Sequence, residues 1–112
     1  MFRSCTSLTT APEILVTTTA RGCCKNMFAD CNALTKGPSI LPATTLSDEC
    51  YYSMFDYCYS LRIAPELPAT TLVSNCYRYM FERCNNLMYI KADFLTDIVA
   101  NTDYTWSWVD NV

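Results

Sequence analysis

At 112 residues the chain has the length of one domain, and its 51% of apolar residues is ample for a core, which argues against disorder. A net charge of −3 with no run of Lys or Arg argues against nucleic acid as a partner, and no apolar stretch approaches the ~20 residues that span a bilayer. Histidine is absent, which removes the commonest general base and the commonest metal ligand together.

The chain is organised by repetition. Met-Phe pairs stand at Met1-Phe2, Met27-Phe28, Met54-Phe55 and Met80-Phe81, at spacings of 26, 27 and 26 residues. Four residues after each Met comes a cysteine: Cys5, Cys31, Cys58 and Cys84. Seven residues after comes a leucine: Leu8, Leu34, Leu61 and Leu87. Another cysteine precedes each later Met by four: Cys23, Cys50 and Cys76. A fixed period of this length is the signature of a repeat architecture. One domain, 1–112, is therefore divided into units 1–26, 27–53, 54–79 and 80–91, with a C-terminal cap over 92–112.

In the first unit, LTTAP reads as a short strand closed by Pro12, since proline cannot donate to a ladder. The second unit carries one extra residue between Pro38 and Cys50, placed in the PSILP loop. Its second half, TTLSDECYYSMF, reads as a short helix with Thr45 as N-cap and Asp48 three residues on. Leu46, Cys50, Met54 and Cys58 fall four apart, on one helical face. The third unit repeats the pattern with Leu72, Cys76, Met80 and Cys84. The fourth diverges after Lys91 into a segment with both tryptophans, as terminal repeats do when they cover an open core. The fold expected is an α/β repeat, with short parallel strands on one face and short helices on the other.

The unit MFxxCxxLxxAPxLPATTLxxxCYxxMF, seen in 54–81 and with changes in 1–53, resembles the BspA-like (Treponema-type) leucine-rich repeat of bacterial surface proteins. That resemblance implies a leucine-rich-repeat solenoid with an adhesion or protein-binding role at the cell surface or in secretion. Met1 is followed by no basic and apolar leader, so no signal peptide is read here.

Seven of the eight cysteines occupy two repeat columns and only Cys24 stands outside, so they read as buried thiol ladders. If a disulfide forms, Cys24 is its expected participant. No CxxC pair occurs, and neither a metal nor a cofactor is expected. The tyrosines around the helical segments read as a flank with hydroxyls in water, or as a stacking surface for sugars. No pair of acids recurs in register, and a cysteine nucleophile would lack a histidine base, so no enzyme is expected.

The function expected is a non-catalytic binding module that recognises protein or glycan. The alternative is a structural spacer with no ligand of its own. Strand residues between inward positions point outward, which selects Thr10, Lys36, Arg62, Ile63, Met88 and Tyr89 as the contact surface, with Lys91 beside them. Arg62, Lys36 and Tyr89 are the anchors, and their charge favours an acidic or hydroxyl-rich ligand. Self-association through the uncapped first repeat is expected as well.

Overall fold

Every second backbone N–H between Gly22 and Asp30 leaves its own unit. Those of Gly22, Cys24, Asn26, Phe28 and Asp30 donate to the carbonyls of Asp48, Cys50, Tyr52, Met54 and Asp56, at 2.8–3.0 Å. The N–H groups between them, of Cys23, Lys25, Met27, Ala29 and Cys31, close turns onto carbonyls three residues back, at 3.0–3.2 Å. From Glu49 to Cys58 the same alternation returns, the outgoing donors reaching carbonyls from Ser74 to Glu82. These bonds define the architecture of the computed structural model, which describes residues 2–92.

One residue in four along these ribbons is left-handed. The set is Gly22, Asn26 and Asp30, then Glu49, Ser53 and Tyr57, then Asn75, Tyr79 and Arg83, all with φ between 52° and 62°. A left-handed residue stops a helix, because its backbone dihedrals are of the opposite hand and the i→i−4 bonding cannot continue through it. In the first two ribbons the N–H of each left-handed residue itself points out of the segment and donates to the neighbouring unit, while the N–H after it closes an internal turn.

The expected α/β leucine-rich-repeat solenoid therefore does not form. Among the described residues there is no helix, and pairing is limited to isolated parallel bridges, in a compact and mostly non-regular body. Residues 48–57 are successive turns, and Thr45 bridges Thr18 in place of capping a helix. Spacing of four is common to an α-helix and to this turn ribbon, so the apolar face persists while the hydrogen bonding differs. In the first three units the paired segment at Thr10, Lys36 or Ile63 is followed two residues on by Pro12, Pro38 or Pro65, which has no N–H to extend a ladder. The expected cap lies, from residue 93 onward, outside the described residues.

Between units the side chains stack in register. Phe2, Phe28, Phe55 and Phe81 form a column with centroids 5.4–5.6 Å apart and rings 6–12° from parallel. Tyr51 lies over Tyr77 at 5.9 Å, both fully buried, which corrects the solvated-flank reading for these two, whereas Tyr59 is exposed and Tyr52, Tyr57 and Tyr79 are half-buried. Leu34, Leu61, Met54 and Met80 fill the space between these columns. Leu8, Phe2 and Cys5 in the first unit are only partly buried. The bridge offset to the third unit falls from 27 at Lys36–Ile63 to 26 at Ile40–Glu66, so relative to that unit the extra residue of the second lies between Lys36 and Ile40.

All eight cysteines are free thiols. The thiols of Cys31, Cys58 and Cys84 each donate to a phenylalanine carbonyl of the preceding unit, Phe2, Phe28 and Phe55, at 2.9–3.1 Å. Each of those carbonyls also accepts the amide N–H of the cysteine three residues on, so both lone pairs are used. Burial pushes Cys50 and Cys84 up to about 12, which keeps both protonated and unreactive as nucleophiles and leaves Cys84 able to donate to Phe55. Cys24 is buried, whereas its neighbour Cys23 is exposed at the open end of its column.

Candidate functional site

Two rows of backbone contacts run across the units on one side. The first is the bridge series Thr10, Lys36, Ile63 and Tyr89, one residue per unit. It is held by Ala11 N–H to the Lys36 carbonyl, Ala64 N–H to Tyr89 and Met88 N–H to Arg62, at 2.8–3.1 Å. The second row joins Ser39 to Glu66 and Leu67 to Lys91, at 2.9–3.0 Å. Pro38 and Pro65 fall between the rows and have no N–H to give, so the rows part there.

A groove of about 530 Å³ opens between the rows. Lys36, Arg62, Ile63 and Tyr89 line it together with Thr35, Gly37, Pro38, Ser39, Ala64 and Glu66. Gly37 stands where the neighbouring units have Ala11 and Ala64, and a Cβ there would come within 3.3 Å of the Phe55 ring. The groove floor thus rests directly on the phenylalanine column.

The seven residues singled out from the sequence divide. Lys36, Arg62, Ile63 and Tyr89 come together in the groove. Thr10 is exposed at its margin, bridged to Lys36 but not lining it. Met88 is 78% exposed and borders a smaller hollow of about 230 Å³ with Leu87, Tyr89 and Ile90. Lys91 stands outside, its Nζ 3.6 Å from the Glu66 carboxylate. The sequence reading missed Gly37, Pro38, Ser39, Ala64 and Glu66. Their signal is the recurring AP or GP pair with its following residue, at Gly37-Pro38-Ser39 and Ala64-Pro65-Glu66.

The polar groups of the groove differ in what they already hold. Thr35 Oγ donates to the Thr9 carbonyl at 3.1 Å. Ser39 gives both its amide and its hydroxyl to the Glu13 carboxylate, at 3.0 and 2.8 Å. Those two bonds, with the nearby charge of Lys36, hold Glu13 below the usual carboxylate range. Among the described ion pairs, Arg3, Arg21, Lys25 and Lys91 all have carboxylate partners. Lys36 and Arg62 are in none of them.

No family model, no curated protein and no solved structure matches this chain. Among the described residues, no group of three or more Cys, Asp or Glu is placed to hold a metal ion. No helix there is long and apolar enough to cross a membrane.

Proposed function

We propose that this chain is a non-catalytic binding module and that its contact surface is the groove around Lys36, Arg62, Ile63 and Tyr89. One observation carries the reading. In an acidic protein whose other lysines and arginines are engaged by carboxylates or by aromatic rings, two cations outside the ion pairs of the described residues meet over one groove. Its volume lies within the ~300–1,000 Å³ of small-ligand sites. Arginine and tyrosine are also the side chains that dominate binding hot spots. A place at the cell surface or in secretion rests on the sequence resemblance of the units alone.

The test begins with a glycan array and a screen of extracellular protein fragments on the immobilised chain. Against any ligand found, Arg62→Ala combined with Tyr89→Ala should weaken binding at least ~tenfold, the loss of one hot spot. Thermal stability should hardly move, since both side chains are exposed. Unchanged affinity would shift the contact to the ring pairs Tyr52–Tyr79 and Tyr57–Tyr59, of which Tyr59 is exposed and the others half-buried. The absence of any ligand would favour a structural spacer.

A further inference from the structure

Within the binding reading above, on which this inference rests, the groove discriminates between ligand chemistries. We infer that it takes an extended acidic peptide, with carboxylates on Lys36 and Arg62 and an apolar side chain on the floor between them. Three features favour this class. The floor is Gly37, Pro38, Ile63 and Ala64, which offers apolar surface to a side chain. Among the described residues the two cations that rim it have no carboxylate within ion-pair distance, so an incoming carboxylate displaces no pair formed there. Tyr89 is 57% exposed at the end of the bridge series and presents its ring to whatever lies along the floor.

A neutral sugar fits the same groove less well. Its many hydroxyls need donors and acceptors with free capacity. The hydroxyl protons of Thr35 and Ser39 are already given to the Thr9 carbonyl and the Glu13 carboxylate. Glu66, the acid on the lining, is held by Lys91 at 3.6 Å. What remains for a ligand is positive charge, one aromatic ring and apolar surface, which match an acidic residue beside an aliphatic one.

The experiment titrates three probes into the 15N-labelled protein: capped Glu-Leu-Glu, capped Gln-Leu-Gln and a linear trigalacturonate. The acidic peptide should shift the amides of Lys36, Arg62 and Tyr89, bind at least ~tenfold more tightly than its glutamine counterpart, and weaken with added salt. Lys36→Gln with Arg62→Gln should erase that preference while the free protein's spectrum stays otherwise unchanged. Equal binding of the two peptides at these amides would overturn the acidic class and leave the groove as a binding site. Binding of the trigalacturonate alone would overturn the peptide and leave the charge argument standing. If no probe moves these amides while a screened ligand binds elsewhere, both this inference and the groove reading fail.

Discussion

Asp56 is the residue whose chemistry is least at ease. Its Oδ1 is buried without a hydrogen-bond partner among the described residues. Burial first, then the charges of Glu82 and Asp30, push its carboxyl up to about 7, against a smaller opposing pull from Arg83. The sign follows from proton linkage. The folded protein holds this proton over a range where the unfolded chain, with an ordinary Asp value, has lost it. The contribution to stability is therefore fully present below about pH 4 and is lost as pH rises through about 7. Asp56→Asn should leave the melting temperature near pH 4 almost unchanged and raise it at pH 8. A lower melting temperature for the variant at pH 8 would show that the charged form is compensated.

At the scale of the element, the question is why these segments are turn ribbons and not helices. Asn26 sits at φ 57°, where asparagine is tolerated and alanine is strained. Asn26→Ala should destabilise by about 1 kcal/mol, while Asn26→Gly should be neutral or mildly stabilising. In a helix the order reverses, since alanine is the best helix former and glycine among the worst. Chemical denaturation of the two variants reads the difference in sign.

The same residues show what was legible in the chain. The columns of Phe2, Phe28, Phe55 and Phe81 follow from spacing alone, because a period of 26 or 27 places equivalent residues over one another. Helix and turn ribbon were not separable, because both bring residues four apart to one face. Gly22, Asn26 and Asp30 were a readable hint, three residues tolerant of left-handed backbone at intervals of four. Glu49, Tyr57, Tyr79 and Arg83 hid it in the later units, since such side chains seldom adopt that conformation. Of the groove, Lys36, Arg62, Ile63 and Tyr89 were reachable from their outward positions. The floor was not, because it depends on Pro38 and Pro65 interrupting the rows, a three-dimensional consequence of a missing donor.

At the scale of the whole molecule, half the ribbon donors hold units together and half hold each unit's own turns. The radius of gyration, 12.5 Å, is that of one compact body of this length, for which about 13 Å is typical. Groove geometry depends on this arrangement, since Lys36, Ile63 and Tyr89 share one side through bridges between successive units, at offsets of 27 and 26 residues. Through-hydrogen-bond scalar couplings between 15N and carbonyl 13C measure those bonds directly. Couplings should pair the nitrogens of Cys24, Asn26 and Phe28 with the carbonyls of Cys50, Tyr52 and Met54, and that of Tyr51 with Cys76. Couplings from those nitrogens to carbonyls four residues back would instead mean helices, and would contradict both the fold and the groove built on it.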